Sequence, residues 1–274
     1  MDHTFETPNP VELYVELGRG NLSVTTGDTT QSTITLSGKG AENVTVEQSG
    51  NHINVIAPRE RGAIFGGSEP RLEAVITVPD NSEVVTKTGS ADQSLHGRYA
   101  LAELKSGSGD IRVEDVTGPM TINTGSGNVK VRDCGGDLRV KCGSGDVEIV
   151  HAAGDVGVST GSGDVTFGST ESSVRVKSGS GDLGIRLASG DITAQTASGD
   201  VTVQELRRGN LTSKNASGDI RVGIPAGVPV WTDVHTVTGR IASDLAGAGQ
   251  PAADQEHIEL RATTVSGDIS LKQL

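Results

Sequence analysis

Three consecutive stretches of this chain decide its fold: CGSGDVEIVHAAGDVGVS at residues 142–159, TGSGDVTFGSTESSVRVK at 160–177 and SGSGDLGIRLASGDITAQ at 178–195. Each stretch opens around a Gly-Ser-Gly-Asp turn and continues in alternating apolar and polar residues. Rows of 18 residues can be written in this way from Thr88 to Thr232, with one extra residue in the seventh row. A fixed period of this length indicates a repeat protein in which each row is one structural unit.

Two strands are predicted in each row. The sixth and eighth residues are apolar in row after row, as in Val147 and Ile149. The fifteenth and seventeenth are apolar in most rows, as in Val174 and Val176. Alternation with a period of two, bounded by Gly, Ser and Asp, is typical of a strand with one buried face.

One coil of this kind cannot fold alone, because ordering its backbone costs more than a few buried aliphatic side chains contribute. Stacking supplies the rest, through hydrogen bonds between coils and a continuous aliphatic core. We therefore predict an all-β fold, a parallel β-solenoid (β-helix or β-roll-like) with 18-residue coils. Strands of neighbouring coils are expected about 4.8 Å apart, and exposed strand edges at the ends of the stack predict caps.

We predict three regions along the chain. Residues 1–87 form a β-rich N-terminal cap continuous with the solenoid, residues 88–242 form the solenoid of repeats, and residues 243–274 form a loop and the C-terminal closing strands. The first region has alternating runs with irregular turn spacing. Trp231, the only tryptophan, is predicted to pack in the core or in a cap.

The acidic composition restricts the partners. The 23 Lys and Arg against 35 Asp and Glu give a formal net charge of -12, so we expect no nucleic acid partner, because such binding depends on basic residues that neutralise phosphates. No stretch approaches the 18 apolar residues of a membrane span, so we expect no membrane insertion. The N-terminal residues show no export signal, so we expect a cytoplasmic protein, with surface display only if the true start lies upstream.

The recurring SGSGD motif, preceded by ITVP at residues 76–79 and VVTKTGS at 84–90, resembles the bacterial DUF4097 family of β-strand repeat-containing proteins, whose members are labelled adhesins. The resemblance extends from about Val11 to Leu271. It implies an all-β solenoid and a place in a family named for adhesion. It implies no established activity, because a fold does not determine a function.

A column of aspartates is the strongest candidate site. It is formed by the fifth residue of the rows, with Asn128 in one row and Asp in these: Asp110, Asp146, Asp164, Asp182, Asp200 and Asp219. Stacked carboxylates repel their neighbours by roughly 1 kcal/mol each in water. One interpretation is a Ca²⁺ ladder, although Asp stands one residue earlier here than in the known Ca²⁺-binding repeat. The interpretation that we favour is an Asx-turn, in which each Asp accepts N–H bonds of its own Gly-rich turn, and on that basis we expect no metal and no cofactor.

The first residue of most rows carries a hydroxyl. These residues are Ser106, Thr124, Thr160, Ser178 and Thr196. A regular hydroxyl array occurs on ice-binding and glycan-binding faces, but a role in stabilising the turns is the favoured interpretation.

The sequence shows no established catalytic motif, and its six histidines are scattered. We therefore expect no enzyme but a structural or interaction module, a scaffold that binds an unknown protein partner or self-associates. One alternative is a surface adhesin or carbohydrate-binding repeat protein. The less favoured alternative is a β-helix carbohydrate-active enzyme, whose cleft would need the loops at about 58–70 and 243–256 with their charged residues Arg59, Glu60, Arg61, Asp254 and Glu256.

Overall fold

The structure is a computed structural model that describes residues 1–58, 71–245 and 257–274. These residues form two compact units, Met1–Gly136 and Asp137–Leu274. The predicted all-β fold is confirmed, and the predicted boundaries of the three regions stay a prediction. No helix among the described residues is long and apolar enough to cross a membrane.

The N-terminal unit contains strands β1 to β11 and a short 3-10 helix at Ala41–Asn43. The strands are β1 (Asp2–Glu6), β2 (Glu12–Gly27), β3 (Gln31–Gly38), β4 (Thr45–Ser49), β5 (His52–Ile56), β6 (Arg71–Pro79), β7 (Glu83–Tyr99), β8 (Leu101–Ser106), β9 (Ile111–Val116), β10 (Met120–Thr124) and β11 (Val129–Cys134).

Two long strands, β2 and β7, organise the N-terminal unit, because each takes part in two ladders. One ladder runs in the order β1-β3-β6-β2-β7-β9-β11. The other runs in the order β4-β5-β2-β7-β8-β10. The pairs β1–β3, β3–β6 and β4–β5 are antiparallel, whereas the pairs that follow are parallel. Strand direction therefore distinguishes the first strands from the coils.

The C-terminal unit contains strands β12 to β25. They are β12 (Leu138–Cys142), β13 (Val147–Ala152), β14 (Val156–Ser162), β15 (Val165–Thr170), β16 (Val174–Ser180), β17 (Leu183–Ala188), β18 (Ile192–Ser198), β19 (Val201–Leu206), β20 (Leu211–Ser217), β21 (Ile220–Ile224), β22 (Val230–Thr238), β23 (Ile241–Ser243), β24 (Ile258–Ser266) and β25 (Ile269–Gln273).

The coils of this unit stack in the register that the sequence predicts. Val147 of β13 lies opposite Val165 of β15, 18 residues on, and the extra residue of the seventh row lengthens the step from Ile192 to Leu211 to 19. Each coil adds one strand to each of two parallel ladders. The coils are therefore two-faced, a property that the row pattern alone leaves open.

The last strands do not stack in chain order. β20 pairs with β24 and β24 with β22, while β21 pairs with β25 and β25 with β23. The C-terminal strands are thus inserted between the coil β20–β21 and the coil β22–β23. We call β22 and β23 together, residues 230–243, the terminal coil, since it forms the end of the ladders among the described residues of this unit.

Glycine at the turn is required by the spacing of the coils. Gly181 has a φ of 127°, and a Cβ atom added to it would lie 2.2 Å from the carbonyl oxygen of Gly163 in the neighbouring coil. Any other residue would combine backbone strain with a steric clash. This explains why Gly precedes the column aspartate in row after row.

Candidate interaction surface at the terminal coil

The aspartate column links the coils of the C-terminal unit by hydrogen bonds. The backbone N–H of each column residue donates to the Oδ1 atom of its counterpart in the neighbouring coil. The N···O distances are 2.9 Å from Asp164 to Asp146, 2.8 Å from Asp182 to Asp164, 2.8 Å from Asp200 to Asp182, 2.8 Å from Asp219 to Asp200 and 2.8 Å from Asp268 to Asp219. Asp268, which lies outside the predicted rows, therefore extends the same column.

The N-terminal unit repeats this arrangement and corrects one expectation. The N–H of Asp110 donates to Asp92 Oδ1 at 2.9 Å, and the N–H of Asn128 donates to Asp110 Oδ1 at 3.0 Å. These bonds join neighbouring coils, whereas we expected each carboxylate to accept from its own turn. An N–H group aimed at an ionised carboxylate stabilises it, and this offsets the repulsion along the column.

Arg221 adds positive charge to the column at one place. Its guanidinium lies 2.8 Å from Asp200 Oδ2 and 2.6 Å from Asp219 Oδ2. The N–H of Asp219, followed by the guanidinium, lowers the pKa of Asp200 below its ordinary value. The same carboxylates raise the pKa of Arg221, with the hydrogen bond to Asp200 as the largest cause.

A second column of acceptors precedes the strands of the other ladder. The N–H of Ser173 donates to Asp155 Oδ1 at 3.1 Å, and the N–H of Asn210 donates to Asp191 Oδ1 at 2.8 Å. The N–H of Glu259 donates in turn to Asn210 Oδ1 at 3.1 Å. The second column therefore adds side-chain links between several neighbouring coils.

Four of the five hydroxyls at the start of the rows bond within their own turns, as predicted, whereas the buried Ser178 Oγ has no hydrogen-bond partner among the described residues. The N–H of Gly109 donates to Ser106 Oγ at 2.9 Å. Cys142 occupies the same row position, and its sulfur accepts the N–H of Gly145 at 3.1 Å. These first residues are thus part of the turn, facing inward.

A metal ion would be bound by a cluster of side chains that can act as its ligands. Among residues 1–58, 71–245 and 257–274, no group of three or more His, Cys, Asp or Glu side chains could hold a metal ion. The expectation of no metal, with the Ca²⁺ ladder as its alternative, stays a prediction. The loop residues named for an enzyme cleft lie outside the described residues: Arg59, Glu60, Arg61, Asp254 and Glu256.

Both acceptor columns end at the terminal coil. Arg240 follows Asp268 in the first column, and its N–H donates to Asp268 Oδ1 at 2.8 Å, but a guanidinium has only donors. Trp231 stands opposite Glu259 at the end of the second column, and an indole likewise only donates. A further coil would therefore find no side-chain acceptor at either position.

Apolar side chains are exposed on the terminal coil. The exposed fraction is 45% for Trp231, 74% for Val237 and 48% for Ile241. Ile241 is in register with Ile269, and Ile269 with Ile220, and both of these are 0% exposed. Ile241 therefore occupies a core column that no coil covers among the described residues.

Val237 ends a column whose residues grow in size along the stack. The column reads Gly161, Gly179, Ala197, Ala216, Val265 and Val237, and all of its members are exposed. The change from glycine to valine gives this turn an apolar surface that the earlier coils lack.

Trp231 lies on the outer face of the terminal coil. The Arg261 guanidinium is 5.4 Å from the centroid of its ring, which is a cation–π contact. Of the two predicted places for Trp231, the core or a cap, the core is wrong, because Trp231 alternates with the inward-facing positions of β22 and nearly half of it is exposed.

A profile of the family described as Toastrack DUF4097 matches residues 11–272. The chain belongs to the Toastrack DUF4097 family. The resemblance carried by the SGSGD rows is thereby confirmed. No curated protein matches the chain.

Solved structures are similar to this Toastrack chain over nearly its whole length. A proposed adhesin from Parabacteroides distasonis ATCC 8503 matches with a TM-score of 0.54 at 11% identity, covering 98% of this chain and 96% of that one. A proposed adhesin from Bacteroides fragilis NCTC 9343 matches with a TM-score of 0.38 at 12% identity, covering 99% and 96%. A proposed lipid binding protein from Parabacteroides distasonis ATCC 8503 matches with a TM-score of 0.38 at 14% identity, covering 99% and 96%. The first of these likenesses shows the fold alone.

The N-terminal unit of the Toastrack chain also contains a cavity of about 410 Å³. Leu17, Ala57 and Leu72 line it together with Lys39 and Lys87. Sequence reasoning missed this cavity, because its walls come from separate segments and lie outside the row motif.

Sequence reasoning also missed the terminal coil as a surface, although the signal is legible. Residues 236–240 read TVTGR where the neighbouring coil reads TVSGD at 264–268. Arg240 at the acceptor position, where Asp268 stands in the neighbouring coil, is the signal, since Val stands at the glycine position of both coils.

Proposed function

We propose that this Toastrack protein is a non-catalytic β-solenoid module that binds another polypeptide at its terminal coil. The observation that carries the proposal is the exposure of Ile241, whose counterparts Ile269 and Ile220 are fully buried. Removing apolar surface from water lowers the free energy, so a molecule that covers this core position is bound more tightly. Exposed Trp231 and Val237 extend the same surface.

The backbone of the terminal coil supports the same proposal. Among the described residues, the strand that pairs with β22 is β24, on one side. β22 is nine residues long and contains no proline, since Pro229 lies just before its first residue. A long strand edge of this kind offers N–H and C=O groups to an added strand.

The adhesin names of the structural neighbours belong to those proteins. We carry over from them only a binding role, and the terminal coil is where we place it. The cytoplasmic location expected from the N-terminal sequence stays a prediction, and neither location changes the surface that binds.

Photo-crosslinking from single positions tests the proposal. A benzophenone amino acid replaces Val237 in one version of the full chain and Lys177 in a control version. Lys177 is an exposed residue of β16, in the middle of the unit. After irradiation in the native cells, we expect a covalent adduct with a polypeptide from position 237 and none from position 177. No adduct from 237, or equal adducts from both positions, would overturn the proposal.

A further inference from the structure

The sequence of β22 is chemically symmetric about its centre. Residues 231–237 read WTDVHTV, with Val234 in the middle. One step away on each side lie Asp233 and His235, two steps away lie two threonines, and three steps away lie an aromatic and a β-branched residue. A strand with this pattern is complementary to itself when it runs antiparallel.

The two faces of β22 are known from its register with β24. Thr232 and Val234 lie opposite the buried residues Leu260 and Ala262, so they are on the inward side of the strand, where Thr232 is exposed and Val234 is half-buried. The alternate residues face outward and are exposed: Trp231, Asp233, His235 and Val237.

Asp233 and His235 are charged or polar side chains without a described partner. Neither makes a hydrogen bond or an ion pair with another described residue. A carboxylate has only acceptors, whereas an imidazole offers an N–H in either protonation state. The two side chains are therefore complementary to each other, but they make no contact with each other within their own strand in this structure.

We propose that the polypeptide bound at the terminal coil is a second copy of this chain, and that the two β22 strands pair antiparallel about a two-fold axis at Val234. This inference rests on the proposed function and names its partner. The axis sets four kinds of cross-strand pair, which are Trp231 with the partner's Val237, Thr232 with the partner's Thr236, Asp233 with the partner's His235, and Val234 with the partner's Val234.

Each of these pairs belongs to a class that stabilises antiparallel sheets. Aromatic with β-branched, threonine with threonine, and opposite charges are all favourable directly across a strand pair. Thr236 Oγ1 donates to Gly267 O at 3.0 Å, which leaves its lone pairs free to accept from the partner's Thr232. Every pair except the central one occurs twice, because the interface is isologous.

The ends of the acceptor columns favour this closed dimer over a head-to-tail filament. A coil added head to tail would present backbone N–H groups to Trp231 and Arg240, which cannot accept them. A parallel, in-register pairing of two β22 strands would place Asp233 beside the partner's Asp233. The antiparallel arrangement avoids both problems.

A charge swap across the axis tests the dimer. The variants are Asp233→His, His235→Asp and the double variant with both changes, and Gln195→Asp on exposed β18 is the control for added negative charge. Each single variant places like groups opposite each other twice, so we expect the dimer Kd to rise about tenfold. The double variant restores the opposite pairs, so its Kd is expected within about threefold of the original chain.

Sedimentation velocity over a concentration series gives the mass and the Kd. Emission from Trp231, the only tryptophan, gives an independent readout, because pairing with the partner's Val237 shields the indole and shifts its emission to the blue. Circular dichroism melts confirm that all the variants fold, since the changed residues are exposed.

The outcomes separate this inference from the proposed function. A dimer that the single changes weaken and the double swap restores supports the inference. A strict monomer, an open polymer, or a double variant as weak as the single ones overturns it. If the chain is monomeric while position 237 still crosslinks to a different protein, the second copy is excluded and the proposed function stands.

Discussion

The interior coils of the C-terminal unit and its terminal coil share one register but differ in chemistry. In the interior, Asp182 Oδ1 accepts the N–H of the next coil and Ile220 is fully buried. In the terminal coil, Arg240 replaces the acceptor and Ile241 is 48% exposed. Backbone pairing therefore places a coil on the stack, whereas the column side chains determine whether another coil can follow.

The largest expected effect compares one core column at its two positions. Ile220→Ala leaves a cavity in the interior and is expected to lower the free energy of unfolding by about 2–5 kcal/mol. Ile241→Ala removes a half-exposed side chain, so we expect a loss below about 1 kcal/mol for the monomer. Urea unfolding at a dilution where the chain is monomeric measures both. Equal losses would show that the terminal coil is covered in the monomer.

The next effect concerns the acceptors. Asp182→Ala removes the acceptor for the N–H of Asp200, and we expect a loss of about 1 kcal/mol in the free energy of unfolding. Asp182→Asn keeps an acceptor, as the natural Asn128 does, so its loss is expected to be about 0.5 kcal/mol or less. Arg240→Ala is the matched change on the terminal coil and is expected to cost no more than the Asn variant, because no further coil depends on it. If Asp182→Asn and Asp182→Ala lowered the free energy of unfolding equally, the negative charge of Asp182 and not its role as an acceptor would account for the loss.

Much of this comparison can be read from the sequence, because it depends on local repetition. Period-two alternation around Val147 and Ile149 predicts the strands and their buried face, and the constant spacing predicts the register. The turn glycines follow from the same rows, since Gly181 lies too close to Gly163 for a side chain.

The rest depends on contacts between segments that no repeat specifies. The insertion of β24 between β20 and β22 reverses chain order, so the rows alone place the wrong strands at the end of the stack. The direction of the Asp164 N–H toward Asp146, and not toward its own turn, is likewise a property of stacking. The two-faced shape of the coils and the cavity near Leu72 also depend on contacts between separate segments of the chain.

A smaller effect is the pH dependence of the interior column. The N–H of Asp219 and then Arg221 lower the pKa of Asp200 in the folded protein. A depressed folded pKa stabilises the fold above the unfolded value of about 3.9, and this contribution is lost as the pH falls through the folded pKa. We expect the difference in unfolding free energy between the original chain and Asp200→Asn to shrink between about pH 6 and pH 2. A constant difference across this range would mean that the hydrogen bonds do not favour the ionised carboxylate.

The smallest expected effect is that of Ca²⁺. Each column Oδ1 already accepts an N–H, as between Asp182 and Asp164, so about one further oxygen per coil is available to a cation. Ca²⁺ requires six to eight oxygens at about 2.3–2.6 Å, and an ion between coils about 4.8 Å apart reaches only two of them. We therefore expect excess Ca²⁺ or chelator to shift the calorimetric unfolding midpoint by less than about 1 °C. A rise of several degrees with Ca²⁺ would establish the ladder instead, and it would be centred on the interior coils, because Arg240 places a positive charge next to Asp268 at the end of the column.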